Sequence, residues 1–190
     1  ILSSNESRWE EVSGQASKMP IGSNGVLCYL GPSPGSAARA GLGVGGLVFP
    51  TPISYQEPSP GLLMHAFWES LAYSLKTNHT SIEDITGLKS DCLYMGGGMT
   101  QSDGLIKIIA DVLNKSIWCS DLPQISCRGA ATAATVTAGL AETLSDAAKS
   151  LNPKGHWTHP DPSNALDYED HYLAWVASYD KLQDSRVDIE

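Results

Sequence analysis

Gly96-Gly97-Gly98 runs directly into Met99, Thr100, Gln101 and Ser102, and here the sequence is best equipped to meet an anion. Glycine lets the backbone turn through positive φ and lets a ligand approach with no Cβ in the way. A helix starting just beyond the turn adds unpaired amide N–H groups and a partial positive charge. Thr100 or Ser102 is placed to cap that helix. A phosphate or a ribose suits such a turn, and Gly96, Gly97, Gly98, Met99 and Ser102 are the candidate binding residues. Two other glycine motifs fail here. A P-loop needs Gly-Lys-Ser/Thr, whereas the sequence has Gly98-Met99-Thr100. A dinucleotide fingerprint needs a third glycine where Gln101 stands. On the glycines alone, a tight strand-to-helix turn with no ligand stays open.

Other reactive side chains read as structural. His156, His159 and Asp161 lie in a Pro-rich stretch with no helical ligand frame and no obvious fourth ligand, so a surface loop is expected and no metal site. His65, His79 and His171 read as partly exposed helix positions. Asp111 lies on a helix whose apolar face is defined by other residues, which suits capping or pairing rather than base catalysis. Asn78-His79-Thr80 and Asn114-Lys115-Ser116 match the glycosylation pattern, but no secretory signal accompanies them. Cys28, Cys92, Cys119 and Cys127 show no CxxC spacing and read as small thiols of a reducing cytosol. No residue of the chain is assigned a catalytic role.

These residues need elements to hold them. Residues 1–25 are polar, with Trp9 as their apolar anchor. Gly25–Leu30 reads as a short buried strand, 31–46 as a long loop, and Gly46–Phe49 as a strand stopped by Pro50 and Pro52. A helix after Pro60 carries Leu63, Phe67, Leu71 and Leu75 on one stripe and is expected to end near Asn78. Asp91–Met95 reads as a strand entering the glycines, followed by a helix over about 102–113 with Leu105, Ile108, Ile109, Val112 and Leu113 on one face. Ser116–Cys119 reads as the next strand, and 125–138 as an Ala- and Thr-rich helix stopping at Gly139. Residues 150–163 read as a connector. A last helix at about 163–182 places Tyr168, Tyr172, Trp175, Val176 and Tyr179 on its apolar side. Helices alternating with buried strands indicate an α/β domain.

Composition bounds the function. The 190 residues are 42% hydrophobic and 17% charged, which fits one ordinary globular domain. A formal charge of −9 with only 12 Lys and Arg excludes a protein that wraps nucleic acid, although backbone N–H groups can still hold the phosphates of a nucleotide. No apolar run reaches the roughly 18 residues that cross a bilayer. Ile1 is not an initiator Met, and a piece of a longer, cytoplasmic polypeptide is expected.

The glycine turn does not stand alone. Gly96-Gly97-Gly98-Met99-Thr100-Gln101-Ser102 with Ile108-Ile109-Ala110-Asp111-Val112-Leu113 resembles the C-terminal signature of the FGGY carbohydrate kinases. Glu69-Ser70-Leu71-Ala72-Tyr73-Ser74-Leu75 is similar to the family helix upstream, and Cys127-Arg128-Gly129-Ala130-Ala131 to the one downstream. The resemblance covers about 62–140, while Leu105, Lys107 and Gln124 depart from common family residues. It implies an actin-like ATPase (ribonuclease H-like) lobe, a mixed sheet flanked by helices, with residues 1–190 as one C-terminal nucleotide-binding lobe. It further implies ATP with Mg²⁺ as cofactors, a sugar as substrate, and a separate N-terminal lobe supplying the sugar site and the catalytic Asp. The chain alone is then expected to be inactive. A pentulose such as xylulose or ribulose is the expected acceptor, and a homodimer a further expectation. The alternative is a non-catalytic nucleotide-binding or degenerate actin-like module.

Overall fold

The computed structural model describes residues 2–30, 45–51, 58–122, 124–150 and 154–184. Six helices and five strands occur among them: α1 (Leu2–Ala16), β1 (Leu27–Tyr29), β2 (Gly46–Val48), α2 (Pro60–Thr86), β3 (Cys92–Met95), α3 (Asp103–Leu113), β4 (Ser116–Ser120), α4 (Ile125–Thr137), α5 (Leu144–Ser150), β5 (Gly155–Thr158) and α6 (Pro162–Asp184). β1 and β2 pair antiparallel with Cys28 opposite Leu47. β4 is the centre of a mixed sheet, parallel to β3 with Tyr94 opposite Trp118, and antiparallel to β5 with Trp118 opposite Trp157. The architecture is α/β, a mixed sheet flanked by helices, as the sequence indicates. Most of the long loop expected at 31–46, and Pro52, fall outside the described residues.

The core forms where the two apolar helix stripes meet. On α3, Leu105, Ile106, Ile108, Ile109, Val112 and Leu113 are all buried, as their helical spacing requires. α6 brings Tyr168, Trp175 and Tyr179 into the same cluster, with Tyr172 and Val176 packed against it. Tyr29 stacks on Trp175 at 5.8 Å and 19°, and Tyr73 meets Trp175 at 5.7 Å. Trp175 Nε1 donates to the Cys28 carbonyl at 2.9 Å, so its one polar atom is satisfied inside the core. The aromatic stripe of α6 is therefore packing, not a surface for stacking ligands. Burial pushes the Tyr73 and Tyr168 hydroxyls well above the usual phenol range.

Several elements differ from the sequence expectation. Residues 2–16 form α1, an element that the polar composition of 1–25 does not announce, and Trp9 is 53% exposed rather than an anchor. That helix packs on α2, close enough at its end that a Cβ on Gly61 would meet Gln15 Cβ at 2.6 Å. α2 continues past Asn78 to Thr86 and stops at Gly87, whose φ of 69° ends the helix with its N–H on the Glu83 carbonyl. The extra turns are held from outside, by Ser90 on His79 and by Lys115 on Glu83. The connector at 150–163 contains β5, whose pairing with β4 supplies the order that its own composition does not. His65 is buried at 4% exposure rather than partly exposed, since α2 turns it onto the end of α1.

Candidate functional site

β3 delivers the chain into the glycine turn at the C-terminal end of its parallel pair with β4, the end where open α/β sheets bind ligands. Gly97 has φ 116° and ψ −179°, a conformation essentially confined to glycine. A Cβ on Gly97 or Gly98 would meet nothing within 4 Å, so the turn is open on its outer side. Gly98–Gln101 then makes one 3₁₀ turn, closed by Thr100 N on the Gly97 carbonyl. Thr100 is buried and spends its hydroxyl on the same carbonyl at 2.8 Å. Ser102 is the N-cap residue of α3, but its side chain makes no cap bond. The opening amides of α3 thus keep the unpaired donors that every helix start presents. Met99 is 55% exposed beside them. The turn accordingly gathers Gly96, Gly97, Gly98, Met99 and Ser102 in one place. Asp103, exposed in the first turn of α3, takes some of that helix's positive field.

Gly96 differs from its neighbours. A Cβ there would lie 2.3 Å from Ile125 Cδ1, so the first residue of α4 packs directly on the turn. Sequence reasoning singled out 127–131 but not Ile125, which carries no chemistry and shows only as the start of an apolar helix. α4 has no buried residue, and a Cβ on Gly129 would meet open space. Two residues before the turn, the Tyr94 ring meets both Trp118 at 5.7 Å and Trp157 at 5.8 Å. Their rings are inclined by 48° and 65°, so they offer no flat stacking surface.

The remaining candidates have separate partners. His156 Nδ1 lies 3.1 Å from Asp121, and His159 Nδ1 lies 2.9 Å from the Ser116 hydroxyl. Asp161 caps α6 by accepting from the Ser163 hydroxyl and N–H, and these bonds hold its carboxyl below the usual range. Among the described residues no three His, Cys, Asp or Glu side chains are grouped to hold a metal. Asp111 is buried and accepts from Lys107 Nζ at 2.6 Å, Asp161 N at 2.7 Å and Asn164 Nδ2 at 3.0 Å. It pairs structurally, tying α3 to the start of α6. Burial pushes the Cys28 thiol up to about 11, which keeps it protonated and inert near neutral pH. No helix of the described residues is long and apolar enough to cross a membrane.

Comparison with known proteins agrees with this geometry. The Bacillus subtilis (strain 168) protein named "Putative sugar kinase YoaC" is 31% identical over 120 residues, 63% of this chain and 24% of its own length. The xylulose kinase from Rhodospirillum rubrum superposes with a TM-score of 0.71 at 23% identity, over 93% of this chain and 34% of that one. Plasmodium falciparum glycerol kinase with ADP superposes at 0.65 and 17% identity, over 90% and 33%. At those identities the likeness is one of fold, the actin-like ATPase fold. The chain spans about a third of the length of these solved kinases and a quarter of YoaC. The family model for the C-terminal domain of the FGGY carbohydrate kinases matches residues 33–138, more than half of the chain, and the chain therefore belongs to that family.

Proposed function

We propose that residues 1–190 act as one C-terminal lobe that binds ATP for a carbohydrate kinase, with Gly96, Gly97, Gly98, Met99 and Ser102 against the nucleotide. The observation that carries this reading is the open cradle at Gly97 and Gly98, beside helix-start amides that no side chain caps. Such a surface fits a polyphosphate, because backbone N–H groups can approach the oxygens with no Cβ between them. Plasmodium falciparum glycerol kinase, solved with ADP, has the same fold, which supports a nucleotide as the ligand.

In phosphoryl transfer the protein mainly positions and neutralises charge. This chain would hold the donor, orienting its phosphates along the N-terminal field of α3. Mg²⁺ would be held mainly through the phosphates and the N-terminal lobe, since no three His, Cys, Asp or Glu side chains are grouped for it among the described residues. The acceptor hydroxyl and the base that takes its proton belong, in this reading, to an N-terminal lobe, and the chain alone would be inactive. A sugar is the acceptor class; within it we favour a pentulose such as xylulose or ribulose. A cytoplasmic location suits this role.

The whole kinase polypeptide, mixed with ATP, Mg²⁺ and a panel of ketoses, aldoses and polyols, should release ADP with at least one sugar, best with a pentulose. No ADP above background with any of them would overturn the kinase reading.

A further inference from the structure

α2 carries a buried acid that the nucleotide turn does not touch. Glu69 is 3% exposed; its Oε1 accepts from Gly22 N at 2.7 Å and its Oε2 accepts from the Ser23 hydroxyl at 2.6 Å. One helical turn earlier, His65 Nδ1 lies 2.8 Å from the Ala16 carbonyl. A carbonyl can only accept, so Nδ1 carries the hydrogen. His65 Nε2 faces Glu69 Oε1 at 3.2 Å, within ion-pair reach though not aligned as a hydrogen bond. Two side chains on one face of α2 thus grip the strap of residues 16–23 at three points.

The strap needs that grip. Gly22, Ser23, Asn24 and Gly25 have φ of 78°, 46°, 52° and 85°, four left-handed residues in succession. Two of them carry a Cβ, which that region disfavours. Ser23 is fully buried, and Glu69 is the acceptor for its hydroxyl.

The strap's other end reaches the start of α3. A Cβ on Gly104 would lie 2.3 Å from Ser17 Oγ and 2.9 Å from Trp68 Cζ3, and Trp68 is the neighbour of Glu69 in the chain. Gly104 is the second residue of α3, two beyond Ser102. The start of α3 is therefore wedged between the strap and α2 with no spare room. We infer that Glu69 and His65 are positioning residues for nucleotide binding: by fixing residues 16–23 they set where Ser17 stands against Gly104, and so where the first turn of α3 and its amides point. This rests on the nucleotide reading above.

The test uses the whole kinase polypeptide with E69Q, S23A, G104A and the double variant G104A/S17A, measuring kcat, KM for ATP and KM for the sugar separately, with the thermal midpoint alongside. Gln at 69 turns an amide N–H₂ toward the Gly22 N–H or the Ser23 hydroxyl. With E69Q and with G104A, KM for ATP should rise about tenfold while KM for the sugar stays within about twofold. Removing the Ser17 hydroxyl should recover part of the G104A effect on ATP. A fall in thermal midpoint with both KM values unchanged, or with both moving together, overturns the positioning role. If E69Q does not fold, the G104A and G104A/S17A pair decides alone. Wild-type protein that forms no ADP with any sugar removes the nucleotide reading itself; active wild type with an unshifted KM for ATP in the variants removes only the positioning role.

Discussion

Ile125 fills the space that any side chain at Gly96 would need, its Cδ1 standing 2.3 Å from where that Cβ would be. The contact joins the strand-to-helix turn to the start of α4, elements about 30 residues apart in the chain. It gives Gly96 a packing requirement of its own, independent of what the backbone there binds.

Gly96→Ala should therefore cost stability by overpacking, about 1–3 kcal/mol in denaturant unfolding. The clash is with the far end of a flexible side chain, so Ile125→Val in the same protein, which removes Cδ1, should restore most of the loss. Absence of any rescue would mean that Gly96 is constrained by something else.

Gly97 and Gly98 separate backbone strain from ligand contact. Gly97→Ala forces a Cβ into a φ of 116° and should cost about 1–3 kcal/mol whatever is bound. Gly98 is outside the left-handed region and has open space. Gly98→Ala should leave the unfolding midpoint unchanged and still weaken ATP about tenfold or more, if a phosphate packs against that position. Calorimetric titration alongside a thermal melt separates the two effects.

Asp111 is the hinge pin between α3 and α6. Asp111→Ala leaves Asp161 N and Asn164 Nδ2 without their acceptor and should cost roughly 3–5 kcal/mol, read from denaturant unfolding. Asp111→Asn keeps one acceptor oxygen and should lose less.

Glu83 ties the end of α2 to the approach to β3. It accepts from Ser90 N and from Lys115 Nζ, each at 3.2 Å, and these, the Ser90 bond foremost, hold its carboxyl below the ordinary value of 4.5. A lowered folded-state value means that its stabilisation is complete above the unfolded value and is lost as pH falls through the folded one. The stability difference between wild type and Glu83→Gln should hence be constant near neutrality and shrink below 4.5. A difference that grows in acid would refute the assignment.

Periodicity made the α3 and α6 sides of the core legible. On α2 it marked Leu63, Phe67, Leu71 and Leu75, which are only partly buried, and Trp68, Ala72 and Tyr73 enter the core instead. Leu105, Ile108, Ile109, Val112 and Leu113 on α3, and the aromatic side of α6, recur at helical spacing because one face of each is buried. The glycine turn was legible because its residues are contiguous. What stayed hidden is held by partners distant in sequence. α1 contributes to the core one small residue, Ala16, too weak a signal to mark a helix. β5 is four residues whose order comes from Trp118 and Cys119 on β4. The last turns of α2 depend on Ser90 and Lys115. His65 lies on α2 among apolar neighbours, and only the fold shows Ala16 and Glu69 beside it.

Hydrogen exchange of the whole kinase polypeptide, read by mass spectrometry with and without Mg²⁺ and ADP, tests the central claim most directly. Protection should centre on peptides covering 96–105, extend to 125–131 across the Gly96–Ile125 contact, and leave the tail of α6 unchanged. ADP that binds and protects other segments while 96–105 exchanges as before would contradict the assignment of the glycine turn as the nucleotide site.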